Sequence, residues 1–309
     1  MFLYIVFLIA LGTLWGLQFS LLKIANIMQI SELVFLVFTL LSLTLIYNAI
    51  LFIKRQNFHL TVECVRYFFI SGSLGYVLPL GVALHLSDTL SAGSITLLAS
   101  SAPVITVILS TLIGHERMNI KKMLGVVMGF SASILVLWPL IESLFGNQNS
   151  HFENAQPLDL LIALIIPLAY GFDVVYISAF WPKNLNATQV VAGETGFAGL
   201  FLLPFFFIFE DPGVIFHLKQ ETWLPILAFI IVSIFEIFLF FYLIRKTGPI
   251  FVANGGYVAL IAGVVWGIVL FDEQHGLHLW FASILLVIAI WCVLPKKEKH
   301  PSLNSANIE

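Results

Sequence analysis

The sequence predicts an all-α integral membrane protein with ten transmembrane helices, arranged as two inverted-topology repeats of five helices. Three observations predict it: the composition, the length of the apolar segments and a pattern that occurs twice. Of the 309 residues, 60% are hydrophobic and 10% are charged, whereas soluble domains carry about 25% charged residues. A chain this apolar cannot cover itself with polar surface in water, so we expect it to fold in a lipid bilayer.

Ten apolar segments are long enough to cross a bilayer as helices, which takes about 20 residues. Lipid offers no partner for backbone N–H and C=O groups, so a spanning segment must bond its own backbone. The segments are too long and too uniformly apolar for the tilted strands of a membrane barrel. The first lacks a basic start and a cleavage site and is predicted to be a retained helix. The ten segments are 2–25, 31–53, 66–86, 91–113, 121–141, 158–180, 187–209, 223–244, 248–271 and 277–294.

The same order of features occurs in both halves of the chain. Residues 91–137 hold a helix rich in small residues, a charged turn and a second apolar helix, and residues 248–294 repeat this plan. Glu116 and Glu273, one in each turn, lie 157 positions apart. The recurrence of the same features at this spacing indicates an internal repeat.

The repeat divides the chain into four parts. Residues 1–142 form the first five-helix repeat, 143–157 an external linker, 158–295 the second repeat and 296–309 a cytoplasmic tail. Because each half has an odd number of spans, the two halves have opposite orientations in the membrane.

The basic residues predict the orientation. With ten spans, 12 of the 14 Lys and Arg residues fall on the side that carries both termini. Cytoplasmic loops are enriched in Lys and Arg, so we place both termini in the cytoplasm and the protein in the bacterial inner (plasma) membrane. Cys64 and Cys292 lie on or near that reducing side, where a disulfide is not expected. The net charge of −3 is the sum of two opposed faces and does not indicate a nucleic-acid partner.

Glycine and proline mark where individual spans bend or pack closely. Span three carries Gly75 and Pro79 and is expected to be kinked. Span four contains Pro103, which frees a backbone carbonyl in mid-membrane. Span nine has a stripe of small residues at every fourth position, a pattern that lets helix backbones approach closely. The stripe is Gly255, Ala259, Gly263 and Gly267.

This set of features resembles the drug/metabolite transporter superfamily, and within it the EamA-type transporters. The resemblance covers about residues 5–294, and the sum of its motifs carries it rather than any one of them. The second half departs from the pattern, with Leu260 where a repeat of Pro103 would fall and Gln274 in place of Arg117. The residues that carry the resemblance are Trp15–Gly16, Lys23, Ser91–Gly93, Pro103, Glu116–Arg117, Gly125 and Glu273.

The resemblance implies a central cavity lined by both halves and a secondary transporter that moves a small metabolite or drug-like compound, such as an amino acid or an amine, by alternating access. It leaves the substrate and the direction open. Two other classes are weighed beside it: a non-transporting receptor or scaffold, and an intramembrane enzyme. The sequence has no long soluble domain for the first and no converging His, Asp or Ser for the second.

Three carboxylates inside spans are the strongest candidates for the site. A charge at the centre of a membrane helix costs about 2.5–3.5 kcal/mol and usually faces the bundle interior. Asp173 and Glu194 both lie roughly 10 Å from the cytoplasmic face at 1.5 Å per residue, and Glu236 lies near the midplane. We expect them either to bind a proton, a cation or an amine, or to be neutral and hydrogen-bonded to neighbouring helices.

The other predicted substrate-binding residues are polar or aromatic at similar depth: Trp15, Gln18, Tyr76, Ser100, Asn254 and Tyr257. No Walker, hydrolase or zinc signature is present, so we predict no catalytic residue, no metal and no cofactor. The segment Asp272–His278 superficially resembles metal ligands but is also an ordinary polar turn. The predicted partners are a small-molecule substrate and membrane lipid, with proton or cation coupling and oligomeric state left open.

Overall fold

The computed structural model describes residues 2–56, 60–90, 92–114, 119–144, 157–211, 213, 219–272 and 277–293. The charged turns with Glu116 and Glu273, most of the predicted linker and the predicted tail lie outside these ranges. Within them every regular element is helical. The helices are α1 (Phe2–Ile27), α2 (Glu32–Ile53), α3 (Val62–Gly72), a π-helical segment (Ser73–Val77), α4 (Leu78–Leu86), α5 (Ala92–Ala99), α6 (Ala102–Leu112), α7 (Ile120–Leu144), α8 (Pro157–Ala163), α9 (Ile165–Phe180), α10 (Ala187–Phe209), a 3₁₀ turn (Gln220–Thr222), α11 (Trp223–Thr247), α12 (Pro249–Ala253), α13 (Gly255–Phe271) and α14 (Leu277–Val293).

Helices occupy each of the ten apolar segments that the sequence indicates. In the described part of the chain, seven helical stretches are long and apolar enough to cross a membrane: Phe2–Ile27, Glu32–Ile53, Val62–Leu86, Leu161–Phe180, Ala187–Phe209, Gln220–Thr247 and Pro249–Phe271. Shorter apolar helices are Ala102–Leu112, Met123–Ala132 and Trp280–Ala289. Large apolar side chains on many of these helices face outward, as a lipid-facing surface requires.

Two of the predicted spans are interrupted. The fourth is divided at residues 100–101, between α5 and α6, and the ninth at Asn254, between α12 and α13. Proline at the start of α6 fits the first break, because the first turn of a helix does not need its N–H. The second break occurs although Leu260 stands where a proline would repeat, and a pair of glycines follows it instead.

The third span is also irregular, as Gly75 and Pro79 predict. A π-helical segment, Ser73–Val77, separates α3 from α4. Such wide turns are rare, and they are frequent at functional sites because they re-aim side chains and leave backbone groups free.

The small-residue stripe of span nine packs against the first helix. A Cβ atom placed on Gly16 of α1 would lie 2.8 Å from the Ala259 carbonyl oxygen and 2.7 Å from the Gly263 nitrogen. One placed on Gly263 would in turn meet Thr96 of α5 at 2.6 Å. The absence of side chains therefore brings the backbones of α1 and α13 into direct contact and lets the Thr96 side chain of α5 pack against α13.

A glycine also allows close packing between α7 and α13. In α7, a Cβ on Gly129 would lie 2.0 Å from the Tyr257 hydroxyl oxygen of α13. Tyr257 is buried there in a small apolar cluster with Ala132 of α7 and Ala282 of α14. Gly129 is therefore a packing position between α7 and α13.

We expect Gly16→Ala to lower the melting temperature, because its Cβ would meet backbone atoms that cannot rotate away. Overpacking of this kind costs about 1–3 kcal/mol. Gly81→Ala is the matched control: its Cβ would meet only Leu36 Cδ1, at 3.6 Å, and alanine favours the helix by about 1 kcal/mol. Thermal unfolding of both variants in one detergent measures the difference. Equal melting temperatures would show that the contact between α1 and α13 does not limit stability.

Candidate functional site

A cavity of about 90 Å³ lies in the interior of the helix bundle. Its wall is mostly apolar and is built by helices from both ends of the chain, among them α1, α2, α9, α10 and α11. A single water occupies about 10–15 Å³ by this measure, so the cavity has room for several waters or a small organic molecule.

The structure brings most of the predicted site residues to this cavity. Those that line it are Trp15, Gln18, Tyr76, Ser100, Asp173, Glu194 and Glu236. Asn254 and Tyr257 are not among the lining residues. Asn254 is buried at the break of the ninth span and donates its amide N–H to the Ile250 carbonyl, and Tyr257 packs against α7.

Two hydrogen bonds join α1 to α11 along the cavity wall. Trp15 Nε1 donates to Glu236 Oε1 at 2.7 Å, and Gln18 Nε2 donates to Ser233 Oγ at 3.0 Å. Both helices present their two groups three residues apart, so each pair lies on one helix face. The later residue of α1 pairs with the earlier residue of α11, so the two helices run antiparallel here.

Asp173 of α9 is held from the opposite wall by the third span. Ser71 Oγ donates to Asp173 Oδ1 at 2.8 Å, and both residues are buried. Gly75, in the π-helical segment, makes room for the carboxylate: a Cβ there would lie 2.8 Å from Asp173 Oδ2. The irregular turn of span three thus serves to accommodate an acidic side chain.

Glu194 of α10 differs from the other two carboxyl groups. Its side chain is only 1% exposed, and its Oε1 atom has no hydrogen-bond partner. The hydroxyls of Ser71 and Tyr67 are near it, and Asp173 is close enough to interact with it electrostatically. Asp173 and Glu194, which the sequence predicts at equal depth, both line the cavity.

The cavity wall is acidic without a basic counterpart. Among the described residues that line it, three are carboxylic acids and none is Lys, Arg or His. Two described basic side chains contact aromatic rings instead: Arg245 lies over the Trp181 ring at 5.3 Å and Lys23 lies 4.9 Å from the Phe271 ring. His85 is exposed and contacts Glu32 at 2.9 Å, as expected for a side chain near a helix end.

Sequence reasoning missed several lining residues: Phe19, Thr39, Thr106, Phe229, Ser233, Phe240 and Phe241. Ser233 had a usable signal, because it lies three residues before Glu236 on the same helix face. The phenylalanines had none, since 29 of them are spread over the chain and most simply pack or face lipid. Tyr170 also lines the cavity.

No metal site is indicated in the described ranges, where no group of three or more His, Cys, Asp or Glu side chains could hold an ion. Most of the Asp272–His278 segment lies outside them. The three cavity carboxylates are placed to interact with a ligand or with their protein neighbours.

Comparison with known proteins finds a family profile, a curated relative and a similar solved structure. The sequence profile described as "EamA-like transporter family" matches residues 2–138 and again 158–294. A curated Bacillus subtilis (strain 168) protein named "Uncharacterized transporter YoaV" is 19% identical over 242 residues, which cover 78% of this chain and 80% of that protein. A solved structure titled only "Crystal structure of protein" is similar in fold, with a TM-score of 0.63, 16% identity and coverage of 93% of this chain and 97% of that one.

We expect Trp15→Phe to destabilise the protein, because it removes the donor to a partly buried carboxyl oxygen. Loss of a hydrogen bond of this kind costs about 0.5–1.5 kcal/mol. In a double-mutant cycle with Glu236→Leu, the two changes should be non-additive, with a coupling of about 0.5–3 kcal/mol, measured as melting temperatures. The control cycle pairs Trp15→Phe with Glu210→Gln, whose carboxylate instead accepts from Ser31. Additivity in both cycles would contradict a stabilising bond between Trp15 and Glu236.

Proposed function

The chain belongs to the EamA-like transporter family, and from this premise we propose that it is a secondary transporter that moves a small molecule through the central cavity by alternating access. With seven helices in its described part able to cross a membrane, it is an integral membrane protein. The observation that carries the proposal is the buried cavity, whose polar groups come from helices at both ends of the chain. Ligand sites of transporters with internal repeats lie between the repeats near the membrane midplane.

We propose ten membrane spans in two inverted repeats, residues 1–142 and 158–295. The two separate matches to the family profile support this division. So do the interrupted spans: the breaks at 100–101 and at Asn254 lie about one repeat length apart. Interrupted helices at corresponding positions of the two halves are typical of transporters with this architecture.

The helix packing supports the same division. The first span of the first half, α1, packs on α13 of the second half, and the first span of the second half, α9, packs on α6 of the first. The second spans, α2 and α10, pack on each other, and so do the fifth spans, α7 and α14. A two-fold relation between the halves accounts for this exchange of partners.

The proposed substrate-binding residues are those that line the cavity, with the three carboxylates at its centre. The halves rock about their contacts in this proposal, and the cavity opens to one side at a time. The distribution of Lys and Arg supports a bacterial inner-membrane location with cytoplasmic termini. Proton or cation coupling through the carboxylates is part of the same proposal.

Alternating access predicts that a cavity residue is reachable from both sides of the membrane. In a background with Cys64→Ser and Cys292→Ser, we expect Ser100→Cys to react with a membrane-impermeant thiol reagent in both right-side-out and inside-out vesicles. Ile108→Cys, on the outward face of the same span, should stay unlabelled from either side. Labelling of Ser100→Cys from one side only, under all conditions, would favour a receptor or scaffold over a transporter.

The topology predicts opposite locations for two reporter fusions. A fluorescent protein that folds only in the cytoplasm should be bright when fused after Glu309, and alkaline phosphatase, which needs an oxidising compartment, should be active when inserted at residues 143–157. Ten spans with cytoplasmic termini require both results. An even number of spans after residues 143–157, or the reverse orientation, would change at least one of them.

A further inference from the structure

The three cavity carboxylates are not equivalent in their protein contacts. Glu236 accepts a 2.7 Å bond from the Trp15 indole and Asp173 a 2.8 Å bond from the Ser71 hydroxyl. The Oε1 atom of Glu194 has no partner, although its side chain is 99% removed from solvent. Buried polar atoms in native proteins are nearly always bonded, and an exception calls for a physical reason.

We propose that the cavity takes a small organic cation, and that Glu194 is the residue that receives its ammonium group. This proposal rests on the proposed function, since it assigns the substrate class of the transport cavity. Glu194 is one of the residues that line the cavity, and an N–H donor from a ligand would satisfy its partnerless oxygen. A second lining residue, Thr39 of α2, also has a buried hydroxyl oxygen without a partner.

The charge of the cavity favours a cation over an anion or a zwitterion. Three acidic residues line it, and no described lining residue is basic. A ligand carboxylate would find no described Lys or Arg on the wall to pair with. An ammonium group would instead form a charge-assisted hydrogen bond to Glu194, the stronger class of hydrogen bond.

The rest of the wall favours an organic body over a bare metal ion. The described part of the chain has no cluster of His, Cys, Asp or Glu with the composition of a metal site. Aromatic side chains surround the carboxylates, with Tyr76, Tyr170 and Phe240 among them. Aromatic faces attract organic ammonium ions and cover apolar groups. A volume of about 90 Å³ limits the ligand in this conformation to a small amine.

Binding of three matched probes to the purified full-length protein tests the proposal by isothermal titration calorimetry. The probes share one aromatic body: 2-phenylethylamine is a cation, 2-phenylethanol is neutral and phenylalanine is a zwitterion. We expect the amine to bind at least tenfold more tightly than either analogue. Glu194→Gln should weaken amine binding at least tenfold, because a neutral amide replaces the charged acceptor.

Two further variants separate the role of Glu194 from general effects. Glu63→Gln removes an exposed carboxylate at the start of α3, outside the cavity, and should leave the affinity unchanged. Glu236→Gln should reduce it less than Glu194→Gln, because Glu236 is already engaged by Trp15. If Glu194→Gln does not fold, the probe comparison on the unaltered protein decides the question alone.

The proposal is overturned if the alcohol or phenylalanine binds as tightly as the amine, if none of the amine binds, or if folded Glu194→Gln keeps full amine affinity. Uptake of the same probes into proteoliposomes tests the proposed transport function separately from ligand binding. An amine that binds but is not carried would refute transport and retain the ligand assignment. A phenylalanine or alcohol that is carried while the amine does not bind would refute the ligand assignment and retain transport.

Discussion

Inside a bilayer, every polar group must find its partner within the protein, and this constraint shapes both the fold and the cavity. It accounts for a chain that is helical in every described regular element. It also acts on side chains: Trp15 is bonded to Glu236, Gln18 to Ser233, and Ser71 to Asp173. Each bond joins helices that are distant in sequence. The polar residues at the centre of the bundle therefore fix how its helices face one another.

Small residues allow the close packing of helices that these hydrogen bonds also join. Lipid tails are as apolar as leucine, so burying apolar surface does not by itself drive membrane helices together. Close contact must come from shape, and Gly16 and Gly263 let the backbones of α1 and α13 meet. On its other side α1 is bonded to α11 through Trp15 and Gln18. The first helix is thus held by close packing on one side and by polar groups on the cavity side.

The sequence was sufficient for the helices, and insufficient for the direction in which every side chain points. Apolar length alone located the helical segments, and seven of the nine predicted site residues line the cavity. Helices that are apolar on nearly all sides carry little information on their rotation, so Asn254 and Tyr257 were expected at a cavity that they do not line. The break at Asn254 and the π-helical segment likewise depend on packing against other helices.

Two of the bonds that stabilise this conformation would oppose movement between the proposed halves. Trp15–Glu236 and Ser71–Asp173 each join a helix of residues 1–142 to one of residues 158–295. A typical intramolecular hydrogen bond contributes about 0.5–1.5 kcal/mol, and a buried group left without a partner costs more, so a rocking motion that separates these pairs must replace both bonds with other partners. The Oε1 atom of Glu194 makes no such bond to the first half. A ligand held there can bind without breaking either bond, and it adds charge close to Asp173, whose bond to Ser71 must change if the halves separate.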